Sequence, residues 1–259
     1  MAKAWEFVRS AVTGIGQGIY QSYRLGGKAV SIAPAILAIT IITEFAQHCY
    51  EIMMGMFESR TAAQSIAQTP ERWVFGYIKI TGFVLTMLFI ARLWNSNGYI
   101  HKAMCVRTRV ILGTAFTVIL LLCSSYLARQ VGPSVTKYGE FALSVLSWFL
   151  QSGLIVWMFS IWLEKENGSL LRSFSALLPT AAVMMILFIA AMLPSQALHG
   201  LNHKLALGQP RYIIWILMIF DSLVVGLMAA IAGSALYTGF KMQATWGGWE
   251  GKPGMGAVK

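Results

Sequence analysis

The stretch 212-YIIWILMIFDSLVVGLMAAIAGSALYTGF-240 is 29 residues long and holds one formal charge, Asp221. A helix of that length, rising about 1.5 Å per residue, reaches roughly 43 Å and exceeds the roughly 30 Å hydrocarbon layer of a bilayer. Five further apolar runs, at about 29–52, 73–94, 108–127, 141–163 and 173–193, are long enough to do the same. The expected fold class is therefore an all-α, polytopic integral membrane protein, a six-helix transmembrane bundle over 29–240. An N-terminal amphipathic interfacial segment, 1–28, precedes it and a flexible cytoplasmic tail, 241–259, follows.

Composition agrees. The 259 residues are 57% hydrophobic and 12% charged, about half the charge of a soluble domain, as expected of helices that face lipid. The longest remainder outside the six runs is the first 28 residues, too short to bury a core of its own. The net charge of +10 is spread over the connections, neither gathered into one run nor interleaved with stacking aromatics, so nucleic acid is not an expected partner. Cys49, Cys105 and Cys123 have no CxxC spacing and are read as small buried thiols. No short apolar core followed by a small-residue cleavage site opens the chain, and no cleaved signal peptide is expected.

At the N-terminus, Trp5, Val8, Val12, Ile15, Ile19 and Tyr23 recur at spacings of three and four beside Lys3, Arg9 and Arg24, the pattern of an amphipathic helix lying on a membrane surface. Gly14, Gly16 and Gly18 weaken it, each by about 1 kcal/mol against alanine, and predict a frayed or kinked helix. Their GxGxG spacing follows no strand and does not fit a dinucleotide fingerprint.

With the N-terminus cytoplasmic, the inner segments (1–28, 92–109, 164–172, 241–259) hold 13 Lys or Arg residues and the outer ones (53–72, 128–140, 195–211) hold 6. That excess on short loops predicts both termini on the cytoplasmic side of a bacterial inner membrane. Trp73 and Trp94, at the two ends of the second span, read as interfacial anchors.

Orientation sets depth. Lys79 lies 6 residues beyond Trp73 and Asp221 lies 9 beyond Tyr212, roughly 9 and 14 Å below the outer face. Glu44, 8 residues before the end of the first span, and Gln151, 10 beyond Phe141, fall at roughly 12 and 15 Å. His48 shares a helix face with Glu44. Glu44, His48, Lys79, Gln151 and Asp221 thus form a candidate intramembrane polar cluster in one outer layer, alongside the reading that Glu44, His48, Cys49 and Glu51 belong to the interface. A lone charge in hydrocarbon costs about 2.5–3.5 kcal/mol, so Lys79 is expected to pair with Asp221 or Glu44. Gly226, Ala229, Ala230 and Gly233 supply small-xxx-small pairs and a helix-packing face on the last span.

No motif names a reaction. His199 and His203 stand four apart without an intervening HExxH glutamate or an evident third ligand, and read as solvent-facing loop residues. Ser152 precedes Gly153 in the fourth span, but no histidine lies in the sixth to activate a nucleophile. The chain has one Asp, against the clustered aspartates of a membrane phosphotransferase. Only His48 lies within a span, where b-type haem wants two histidines at matching depth. No cofactor, metal or catalytic residue is expected. The readings are a membrane subunit, a small permease or an accessory, lipid-interacting factor of an envelope complex. The alternative is a proton- or ion-coupled transporter using Lys79, Asp221 and Glu44; an intramembrane enzyme or haem subunit ranks last. Expected partners are the lipid bilayer and, through the last span, other membrane subunits or a second copy.

Overall fold

The computed structural model describes residues 2–131, 137–164 and 177–246. Among the described residues it is all-helical, with nine helices and no strand: α1 (Ala2–Ile32), α2 (Pro34–Met53), α3 (Arg60–Ile66), α4 (Pro70–Asn95), α5 (Ile100–Met104), α6 (Thr108–Val131), α7 (Lys137–Trp162), α8 (Leu177–Ala206) and α9 (Arg211–Trp246). Residues 165–172, the start of the fifth expected span and most of the expected tail lie outside the described residues.

Three stretches are long and apolar enough to cross a membrane: Pro70–Asn95, Thr180–Ala206 and Arg211–Met242. Val12–Ile32 and Pro34–Met53 meet the same test as one span broken by a 93° bend. The apolar helical stretches Thr108–Ser124 and Phe149–Trp162 are shorter, and six spans remain compatible with this set. The surface of α9 supports a lipid setting. Tyr212, Ile216, Ile219, Phe220, Leu223 and Leu227 are exposed along one stripe, whereas Asp221, Ser222, Val225 and Ala229 are buried. That places large apolar groups outward and polar ones inward, the reverse of a soluble surface helix.

The break between α1 and α2 follows from Pro34, which lacks an amide donor and whose ring would clash with the carbonyl of Val30. Ahead of it Ala33 is driven out of the helical region, to φ −137°, ψ 49°. This corrects the boundary expected at 28/29, and α1 runs unbroken through Gly14, Gly16 and Gly18. The face that α1 buries also differs from the expected apolar stripe: Val12 is exposed, and Gly18, Ser22, Gly26, Ala29 and Ala33 are buried. Small residues let helix backbones approach closely. At Gly26 an added Cβ would lie 2.8 Å from the Cα of Ile231.

The described chain divides into two compact units. The first comprises 1–104 and 187–236. In it α2 and α4 are joined by Thr40, whose hydroxyl donates to Thr86 Oγ1 at 2.8 Å, and by the close seat of Gly82 on Thr43. The small-residue face of α9 is used here: a Cβ at Gly226 would meet Ile41, one at Gly233 would lie 2.5 Å from the Met87 carbonyl oxygen, and Ala229 and Ala230 are fully buried. Nearby, Trp94 Nε1 donates to Ser234 at 2.9 Å. The expected outer loop 53–72 contains α3, capped by Ser59, whose hydroxyl accepts from the Ala62 amide. Met56, Phe57 and Ile66 of this segment pack with Ile52, Ala206, Ile214 and Met218 in an apolar cap.

The second unit comprises 105–186 and 237–259. Gly113 of α6 abuts Ile161 of α7, Phe116 meets Trp157 edge-on, and Arg107 and Arg109 both approach Glu164. Cys105 and Cys123 are exposed and Cys49 is half-buried, which corrects the expectation of buried thiols; thiols are apolar enough to sit on a lipid-facing surface.

Candidate functional site

Four residues of α2, Glu44, Gln47, His48 and Glu51, recur at spacings of three, one and three and therefore share one helix face. That face begins with the apolar Ile36 and Leu37, passes through Thr40, and continues with ionisable groups without leaving the interior: Glu44, His48 and Glu51 are 0% exposed. Three other helices, α4, α8 and α9, close over them.

The decisive difference from expectation is in α8. The fifth span, expected over 173–193, does not stop before Pro194: the helix continues to Ala206 with Pro194 inside it. Membrane helices tolerate an internal proline when neighbouring groups satisfy the freed carbonyl. The continuation places His199, Asn202 and His203 at i, i+3 and i+4, on one face rather than in a solvent-facing loop. A tight connection at 207–210 then sends α9 back, carrying Asp221.

Asp221 is the hub. Its Oδ1 accepts from Asn202 Nδ2 at 2.8 Å. Its Oδ2 faces three imidazole nitrogens: His199 Nδ1 at 2.6 Å, His48 Nε2 at 3.1 Å and His203 Nε2 at 3.7 Å. The last distance is beyond hydrogen-bond reach, and His203 Nε2 is a buried atom with no hydrogen-bond partner. His48 also presents Nε2 to Glu44 Oε1 at 3.3 Å and Nδ1 to Glu51 Oε2 at 3.1 Å. Glu51 is held in turn through Oε1, which accepts from Gln47 Nε2 at 2.6 Å and from Arg72 Nε at 3.1 Å. Lys79 Nζ donates to Glu44 Oε1 at 2.8 Å. The rings of His199 and His203 meet edge-on at 4.7 Å, and Phe57 of the apolar cap lies 5.8 Å from the His203 ring.

The cluster thus draws on α2, α4, α8 and α9. Of the residues expected in one polar layer, Glu44, His48, Lys79 and Asp221 converge. Lys79 chooses Glu44; Asp221 is taken by the histidines and Asn202. Gln151 belongs to the other compact unit, where its amide donates to Ser147 at 3.0 Å on its own helix. Sequence reasoning missed Gln47, Glu51, Arg72, His199, Asn202 and His203 as members, although the i, i+3, i+4 spacing of the last three was a usable signal.

Three carboxylates (Glu44, Glu51, Asp221) face one guanidinium (Arg72), one ammonium (Lys79) and three imidazoles, for a formal charge of −1 with every imidazole neutral and 0 with one protonated. Two sets of donor atoms lie within 4.8 Å of one another and could hold a metal ion: His48, His203 and Asp221, and Glu44, His199 and Asp221. Both contradict the expectation that His199 and His203 have no third ligand. The chain matches no protein-family model, no curated protein and no solved structure.

Proposed function

We propose that the chain is a small cation permease of a bacterial inner membrane, both termini cytoplasmic, in which the enclosed cluster around Asp221 handles the cation. The observation that carries this reading is the concentration of three carboxylates and three imidazoles between four helices, with Glu44, His48, Glu51 and Asp221 fully enclosed. Ionisable groups at membrane depth are costly and mark ion pathways when they gather in this way. Two partners suffice to tie helices together; three carboxylates beside three imidazoles offer ligand atoms and exchangeable protons beyond that need. The 13-to-6 distribution of Lys and Arg supports the orientation.

Lipid is the partner supported by the exposed apolar stripe of α9. Because α2 and α4 occupy the small-residue face of that helix, a second copy or another membrane subunit would have to meet the last span through Tyr212, Ile216 and Leu223. The second reading is a structural tie in a membrane subunit or accessory factor, favoured by the ordinary inter-helix bonds Lys79–Glu44 and Asn202–Asp221. Reconstitution separates the two. Proteoliposomes under an imposed membrane potential, loaded with a pH dye or a divalent-metal dye, should show cation uptake that Asp221→Asn abolishes in a folded chain. No flux in the wild type, or equal flux in a less stable Asp221→Asn chain, would leave only the tie.

A further inference from the structure

We propose that His48 Nε2, His203 Nε2 and Asp221 Oδ2 form a binding site for a single divalent transition-metal cation of the zinc class, which rests on the permease reading and names its cargo. Nitrogen donors beside one carboxylate oxygen suit zinc, cobalt or nickel, whereas calcium and magnesium take oxygen ligands. A tetrahedral zinc ion with ligands near 2.0–2.1 Å sets its donors roughly 3.3 Å apart. The two nitrogens stand 3.1 and 3.7 Å from Asp221 Oδ2, on either side of that value.

The surrounding bonds aim these atoms at one point. Glu51, itself fixed by Gln47 and Arg72, holds His48 through Nδ1 and leaves Nε2 facing Asp221. Asn202 holds Asp221 through Oδ1 and leaves Oδ2 facing the imidazoles. A carboxylate behind a ligating histidine fixes ring orientation and strengthens the donor. His203 Nε2, buried and without a hydrogen-bond partner, supplies a ligand atom that the protein itself does not use.

Charge selects between the two possible sets. The two sets share Asp221, and at Glu44 the Lys79 ammonium already sits 2.8 Å from Oε1, so charge favours the set without Glu44. One ion per chain follows. The site has three protein ligands and keeps a fourth position open, as sites that exchange a ligand do. His199 and His203 are 15% and 25% exposed in their side chains while His48 and Asp221 are at 0%, so α8 provides the edge by which an ion enters.

The test uses the full chain in detergent, stripped with a chelator and titrated with Co²⁺. Expected are the visible absorption of tetrahedral cobalt, saturation at one ion per chain and displacement by Zn²⁺. His203→Gln, at the most exposed ligand, should weaken binding at least tenfold with an unchanged thermal melt, Glu51→Gln should weaken it about 10- to 100-fold, and Gly16→Ala, in open space away from the cluster, should keep the band. Absence of a saturable band in the wild type, or an unchanged affinity in His203→Gln, overturns the site. Cobalt binding without flux in proteoliposomes would retain the site and remove the permease; flux without cobalt binding would do the reverse.

Discussion

Lys79 Nζ on α4 stands 2.8 Å from Glu44 Oε1 on α2, with Glu44 wholly enclosed and the lysine still partly exposed. The ammonium therefore reaches the polar centre from its rim rather than through it. Lys79→Met strands a carboxylate in a low-dielectric interior and should destabilise the chain by roughly 3–5 kcal/mol. Adding Glu44→Gln to the same chain should recover part of that loss. Unfolding in detergent measures both, and a double variant less stable than Lys79→Met alone would refute the pairing.

Asp221 accepts from Asn202 and from the imidazoles at once. Asp221→Ala leaves those donors without an acceptor, each at about 1–3 kcal/mol, whereas Asp221→Asn preserves an oxygen toward Asn202. The thermal melt should fall further for the alanine variant than for the asparagine one. Equal shifts would show that the Asn202 bond contributes nothing.

Backbone contact at glycine separates packing from propensity. Gly233→Leu forces side-chain atoms against the Met87 carbonyl and should cost at least about 1–3 kcal/mol. Gly16 has nothing within 4 Å of an added Cβ, so Gly16→Ala should stabilise α1 by up to about 1 kcal/mol. Melting temperatures moving in opposite directions are the expected outcome.

Orientation is testable without function. Reporter fusions at both chain ends should register the cytoplasmic face, and a reporter inserted in α3, Arg60–Ile66, the opposite one. Termini on opposite faces would contradict the orientation and with it the common depth of Lys79 and Asp221.

The bilayer-spanning class and the convergence of Glu44, His48, Lys79 and Asp221 were legible because apolar run length and the depth of a charge along a span are both linear in sequence. The other half of the centre was hidden by one residue. Pro194 is a valid stop signal in water, and it separated His199, Asn202 and His203 from the helix that carries them. Helix α8 runs on through Pro194, and there His199 and Asn202 bond to Asp221 of α9, a tertiary contact that no local pattern encodes. At the N-terminus Gly14, Gly16 and Gly18 read as weakness; Gly16 does stand in open space, whereas Gly18 is buried, as is Gly26 further along. Pro34 breaks the chain inside the expected first span, 29–52, and how far the chain turns at Ala33 is not written in the sequence.

The central claim is that helices distant in sequence enclose one ionisable centre, and the contact between His48 and Asp221, 3.1 Å apart and 173 residues distant, tests it most directly. A double-mutant cycle of His48→Asn and Asp221→Asn, read by unfolding of the chain in detergent, should give a coupling free energy of about 1–3 kcal/mol. Effects that add within about 0.5 kcal/mol would mean that the two residues do not share a site.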